Sequence, residues 1–314
     1  MIVYGPIPSR RLGQSLGVNN IPPKTCSYSC VYCQIGRTNK MSIKREEFYK
    51  PEDIFSEVKS KVDNLKKSGE RLDYISFVPD GEPTLDKNLG TELKLLKELN
   101  LKTAVITNAS LLWMDDVKND LLQADWVSLN VDAVHEDIWH RIDRPHGRLS
   151  LIKVLDGMID FAEMYKGTLV TETMLVSGFN DGTRHLQDIA KHISKIHPEK
   201  SYLLVPTRPP VEKKIFRADS KKLIEAAGAI NNTCGIDVEC ITKDDSEQGF
   251  FFTDNITEDL LNITSVHPIR EDIINHYFEV MNADSAILNQ LIAQNKIIQY
   301  DFEGKRFYKK NLDI

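Results

Sequence analysis

Apolar and polar positions alternate along this chain in two rhythms. Short apolar runs at 15–21 (SLGVNNI), 74–81 (YISFVPDG), 103–109 (TAVITNA), 126–133 (WVSLNVDA), 169–176 (LVTETMLV) and 201–208 (SYLLVPTR) read as strands, many ending in polar residues or glycine. Between them the apolar spacing changes to three and four. Ile54, Val58, Val62 and Leu65 make one apolar face of a helix over 51–67 that opens on Pro51. The stretches 87–99, 114–123, 151–165, 182–196 and 218–229 read the same way, and 236–242 (IDVECIT) reads as a further edge strand. Six βα units predict an α/β fold with a parallel sheet, either a partial (β/α)6 TIM-like barrel or a doubly wound sheet. In both, functional side chains belong at the carboxyl ends of the strands.

After about residue 254 the rhythm breaks. ITEDLLNIT, SVHPIREDIINHYFEVM and ADSAILNQLIAQNK predict three helices, and IIQYDFEGKRFYKK predicts a hairpin turning at Glu303-Gly304. The reading is a barrel domain over 1–250 and a small winged-helix-like appendage over 255–314.

The chain has 314 residues, enough for one large core and an appendage. No run approaches the ~18–20 apolar residues of a membrane helix, and the opening MIVYGPIPSRR lacks the apolar run of a signal peptide, so the expectation is a cytoplasmic protein. A net charge of -6 sets up no global attraction for nucleic acid. Residues 255–314 hold six Lys+Arg against nine Asp+Glu, which disfavours nucleic acid at the appendage too.

Three of the five cysteines fall within eight positions, as Cys26-x3-Cys30-x2-Cys33 on the loop after the first of these strands. A structural zinc site needs a fourth protein ligand, and the other thiols, Cys234 and Cys240, lie some two hundred positions on and read as structural. A thioredoxin-like pair Cys30/Cys33 would leave Cys26 without a role. A [4Fe-4S] cluster held by three thiolates keeps one iron open for another ligand. An open iron beside a cofactor can deliver an electron to it.

This cysteine loop, with the aromatic Tyr32 just before the third thiol, resembles the radical S-adenosylmethionine superfamily. The resemblance implies that Cys26, Cys30 and Cys33 hold three irons and that S-adenosylmethionine chelates the fourth. Its reductive cleavage would then give a 5'-deoxyadenosyl radical that abstracts a substrate hydrogen. It further implies cofactor contacts in strand order. Gly81-Glu82-Pro83 is similar to the segment that meets the methionine amino group, with Asp80 in place of the usual first glycine. Tyr32, Asn108, Asn130, Asp132 and Glu172 complete the cofactor-binding candidates, and SGFND at 177–181 resembles the turn that follows. No catalytic residue is assigned. An external low-potential donor of ferredoxin or flavodoxin type is implied as partner.

The first forty residues and the C-terminal YDFEGKRFYKK are similar to archaeal and bacterial wyosine-base-formation-like iron–sulfur oxidoreductases, which makes wyosine-type tRNA modification an alternative reading. Enzymes that build that base carry further cysteines upstream; none precedes Cys26 here, and no pyruvate-holding lysine is assigned. The other alternative is an iron–sulfur redox sensor whose winged helix binds nucleic acid. Strand-end position alone nominates Arg10, Arg11, Glu172 and Arg208 as substrate contacts. Arg141 and Arg144 suit surface ion pairs as well as a carboxylate, and His135, His140 and His146 have no metal-ligand spacing. The substrate is open: RNA, protein or a small metabolite.

Overall fold

The computed structural model describes residues 2–208, 212, 214–242, 256–266, 268–280, 283–302 and 304–311. In chain order the strands are β1 (Val3–Ser9), β2 (Gly13–Val18), β3 (Thr25–Cys26), β4 (Lys40–Met41), β5 (Tyr74–Phe77), β6 (Lys102–Thr107), β7 (Trp126–Asn130), β8 (Thr168–Met174), β9 (Lys200–Leu204), β10 (Asp237–Ile241), β11 (Ile269–Arg270), β12 (Ile297–Phe302) and β13 (Lys305–Lys310). The helices are α1 (Pro51–Lys67), α2 (Leu89–Leu96), α3 (Asp115–Leu121), α4 (Glu136–Ile142), α5 (Leu151–Met164), α6 (Thr183–Ile196), α7 (Ser220–Cys234), α8 (Ile256–Val266), α9 (Glu271–Val280) and α10 (Ala286–Ala293).

Eight strands form one sheet in the order β1-β2-β5-β6-β7-β8-β9-β10. All neighbours from β2 to β10 are parallel, whereas β1 pairs antiparallel with β2. A doubly wound sheet reverses its strand order at a switch point. No reversal occurs here, so crossovers of one hand keep the helices on one face and curl the sheet into an open barrel. The strand β1 escaped the sequence reading because Gly5, Pro6 and Pro8 interrupt its apolar pattern.

Alternation along each strand sorts side chains between the two faces. Leu16, Val18, Ile75, Phe77, Val105, Val127 and Leu129 join the outer core beneath the helices. The face of α1 that meets this core is Ile54, Val58, Val62 and Leu65, all buried; each such side chain stabilises by roughly 1.5–3 kcal/mol. Acidic residues in its first turn and Lys66 and Lys67 in its last suit the helix dipole. On the inner face, Leu12, Ala104, Trp126, Val170, Tyr202 and Ile241 plug one end of the barrel. The other end holds two cavities lined by the strand ends and the loops that follow them.

The three C-terminal helices and the sheet β11-β13-β12 surround a second apolar core that includes Leu260, Ile263, Ile274, Phe278, Leu288, Leu291 and Ile297. The 250–255 boundary and Glu303 of the expected turn lie outside the described residues. No helix among the described residues is long and apolar enough to cross a membrane.

Helix α6 buries two histidines, His185 and His192, whose pKa values burial lowers from 6.5 to about 4. A depressed folded pKa means that the unfolded chain binds more protons between pH 4 and 6.5, so these groups erode stability as pH falls through that window. The urea midpoint of the wild type therefore declines between pH 7 and pH 5, and His192→Leu flattens that decline; equal slopes would contradict the burial of an uncharged imidazole.

Candidate functional site

The cysteine loop leaves β2 and is tied down along its length by backbone hydrogen bonds. Lys24 N–H donates to the Asp80 carbonyl (2.7 Å), and Glu82 N–H donates to the Thr25 carbonyl (3.1 Å). Gly81 makes this docking sterically feasible, because a Cβ there would lie 1.9 Å from the Thr25 carbonyl oxygen. On the opposite side, Val31 N–H donates to the Ile142 carbonyl (2.9 Å), and Ser29 N–H to that of Asp143 (3.0 Å). Tyr28 is buried edge-on to Trp139, whose Nε1 donates to Tyr28 Oη at 3.1 Å. Loops from β5 and α4 thus hold the cysteine loop from two sides.

Cys26, Cys30 and Cys33 line a cavity of about 180 Å³. Burial raises all three thiol pKa values, Cys26 to about 12, with Glu82 adding to the rise there and the sulfurs opposing one another's ionisation. Three half-buried thiols whose pKa values are raised need positive charge among them before they can ionise as ligands. Among the described residues no three His, Cys, Asp or Glu side chains converge as a single-ion site. A donor set of soft thiols spread around a cavity suits an iron–sulfur cluster better than one zinc ion.

Gly81, Glu82, Asn108, Asn130 and Tyr32 line the same cavity. Asn108 Nδ2 lies 3.6 Å from Cys26 Sγ and donates to Ser27 Oγ at 2.9 Å. Asn130 Oδ1 and Asp80 Oδ1 are buried without a hydrogen-bond partner among the described residues. Two such atoms at one cavity suit a ligand rich in donors, as the amino and hydroxyl groups of S-adenosylmethionine would be. Burial pushes the Asp80 carboxyl up to about 7, against the opposing pull of Lys309, Lys310 and Lys24.

Three sequence candidates lie elsewhere. Pro83 is buried at the start of the turn Pro83–Leu85, where its carbonyl accepts from Asn20 Nδ2 (3.2 Å). Asp132 takes hydrogen bonds from Tyr32 Oη and from Met174 N–H (2.7 Å), which makes it a brace for Tyr32. Glu172 pairs with Arg11 and accepts from Ser128 Oγ (2.7 Å), lining a neighbouring cavity of about 340 Å³ that also contains Arg208. The two cavities share Tyr32, Cys33, Ile35, Val78 and Ile106.

The carboxylate of Glu82 is heavily engaged, accepting from Thr84 N–H and Oγ1, Thr107 Oγ1 and Asn108 N–H. It therefore knots the ends of β5 and β6 together. Sequence reasoning missed Asp143, whose Oδ1 accepts from Cys30 Sγ at 3.4 Å and whose pKa is raised by burial and by Asp132. Nothing in a lone Asp after a helix distinguishes it from a cap. Arg144 pairs with Glu212 (2.8 Å), and Arg141 lies over the Phe179 ring. His135 meets Asp188 and His140 meets Glu136, away from both cavities. Cys234 and Cys240 pack against the outer core.

Residues 20–192 match the family model described as Radical SAM superfamily. The chain is 44% identical over 312 residues to the UPF0026 protein MJ1312 of Methanocaldococcus jannaschii, covering 99% of this chain and 96% of that one. Among solved structures it is similar in fold to TYW1 with a lysine-pyruvate adduct bound (TM-score 0.54, 14% identity, 71% of this chain and 75% of that one). It is likewise similar to Streptococcus suis SuiB bound to S-adenosylmethionine (TM-score 0.53, 13% identity, 71% and 49%).

Replacing Gly81→Ala should lift the cysteine loop from β5, at a cost of about 1–3 kcal/mol in urea unfolding. Iron uptake by the anaerobically reconstituted variant should fall well below wild type; full uptake would show that the Thr25–Gly81 contact does not shape the site.

Proposed function

Because the chain belongs to the radical S-adenosylmethionine superfamily and to the UPF0026 proteins, we propose that Cys26, Cys30 and Cys33 hold a [4Fe-4S] cluster whose open iron takes S-adenosylmethionine. The chain is an enzyme, and the cluster and S-adenosylmethionine are the cofactors of its superfamily. Bound together, these two supply a 5'-deoxyadenosyl radical for hydrogen abstraction. The observation that carries the residue assignment is the convergence of the three thiols with Gly81, Asn108 and Asn130 on one cavity.

The chain's own residues divide the remaining work. Asn130 Oδ1 and Asp80 Oδ1 are acceptors for the cofactor's donors, and Asn108 orients the Cys26 side of the loop. Glu82 holds β5 and β6 in register beneath the cavity, with Pro83 starting the turn behind it. Asp132 aims the Tyr32 ring across the boundary between the two cavities. Glu172, with Arg11, faces the second cavity, which we assign to the substrate. Its volume of about 340 Å³ sits at the small end of the ~300–1,000 Å³ typical of small-molecule sites, which favours a metabolite or one protruding group of a larger substrate. The electron comes from an external low-potential donor of ferredoxin or flavodoxin type. We propose the C-terminal unit, with its own core, as a separate domain after residue 254 that covers the loop rather than reads nucleic acid, in keeping with its acidic balance.

The test is anaerobic purification, iron and sulfide counting, and the paramagnetic resonance spectrum of dithionite-reduced protein with and without S-adenosylmethionine. A [4Fe-4S] signal that changes on adding the cofactor, and formation of 5'-deoxyadenosine, are expected, with both lost in Cys30→Ala. A cluster indifferent to S-adenosylmethionine would instead favour the redox-sensor reading. Asn130→Ala should keep its iron but need about tenfold more S-adenosylmethionine for the spectral change, as expected for one lost buried hydrogen bond.

A further inference from the structure

The C-terminal hairpin reaches the cysteine loop through one side chain. Lys309, on β13, donates from Nζ to the carbonyl oxygens of Gln34 (2.7 Å) and Ile35 (3.0 Å), the two residues that follow Cys33. A trans peptide is planar, so its carbonyl and its N–H point in opposite directions. The N–H groups of these same two peptides belong to Ile35 and Gly36; they point away from Lys309, and both act on the Cys33 thiol. Gly36 has φ +122°, a conformation that residues with a Cβ rarely adopt, so the turn directly after the cysteine is shaped for a glycine.

A cation, two peptides and a sulfur therefore stand in series. The ammonium polarises both peptides and strengthens their donation, because hydrogen bonds in a chain reinforce one another. It also fixes the direction of amides that a loop would otherwise leave free to turn toward solvent. Donors to a ligating sulfur favour the more negative, reduced state of a cluster and so raise its potential.

We propose that Lys309 is a positioning residue through which the C-terminal unit seats two backbone N–H donors on Cys33 and so tunes and retains the cluster. This rests on the reading of Cys33 as an iron ligand. It gives the appendage a role at the cofactor site that needs no nucleic acid and no contact with substrate.

The experiment uses the full chain reconstituted anaerobically, as wild type, Lys309→Met and Lys309→Arg. The cluster's midpoint potential is measured by a redox titration followed by paramagnetic resonance, and iron loss to a ferrous chelator is timed. Lys309→Met should shift the potential to a more negative value and lose iron about tenfold faster, the scale seen when outer partners of metal ligands are removed. Lys309→Arg, which keeps the cation, should stay near wild type. Gly36→Ala, which disturbs the same turn from the cysteine side, should shift the potential in the Lys309→Met direction and decides the matter should Lys309→Met fold poorly. Unchanged potential and retention in Lys309→Met and Gly36→Ala would overturn the proposal while leaving the cluster in place. A shift that Lys309→Arg shares in full would also overturn it, since packing rather than charge would then be responsible. Wild-type protein that takes up no iron at all would overturn the cluster reading, and this proposal with it.

Discussion

The bare backbone of Gly81 is the constraint on which the site depends. The Thr25 carbonyl approaches it so closely that any side chain would collide, and the hydrogen bonds on either side, Lys24 to Asp80 and Glu82 to Thr25, need that approach to form. The cysteine loop is long and has only the two-residue strands β3 and β4 of its own. Docking against a strand end gives it a rigid floor, and the aromatic pair Tyr28–Trp139 gives it a wall. A site whose ligands must keep their spacing while a cofactor comes and goes requires this kind of support.

Burial sets the electrostatics of the whole end of the barrel. Asp80, Glu82, Asp132 and Asp143 are all buried with raised pKa values, and the three half-buried thiols beside them are raised too. So much latent negative charge in one place is costly unless cations enter with it. The cluster and sulfonium cofactor proposed for this cavity would bring positive charge to that place, and Lys309 adds one cation from the chain itself. The same crowding explains why Glu82 is tied by four hydrogen bonds: an ionised carboxylate at that depth is tolerable only when fully solvated by the protein.

Much of the fold was legible. Each of the six strand candidates became a strand of the parallel sheet, and 236–242 became its edge, because inward and outward positions alternate plainly in those runs. The helix over 51–67 was legible for the same reason at a different period. Its neighbour at 87–99 shortened to α2 followed by a tight turn at Lys97–Leu99, since Asn100 adopts the left-handed conformation that closes it. Apolar periodicity did not choose between barrel and doubly wound sheet; the barrel was read from the resemblance that the cysteine loop carries, and the strand order agrees with it. Both have the same local alternation, and only the pairing order of distant strands separates them.

The amino-acid sequence by itself determined the parallel strands and most helices, the tricysteine spacing and the strand ends that carry polar side chains, because these are local patterns of two to eighteen residues. Tertiary structure alone decided that Glu82 serves as a knot between strands, that Asp132 braces Tyr32 a hundred positions away, and that Glu172 faces a second cavity. It alone brought Lys309 to the peptides beside Cys33 across 275 residues of chain. Contacts at such separations are chosen by how whole elements pack, and the physical cause lies in the shared burial of surfaces that no short window of sequence contains.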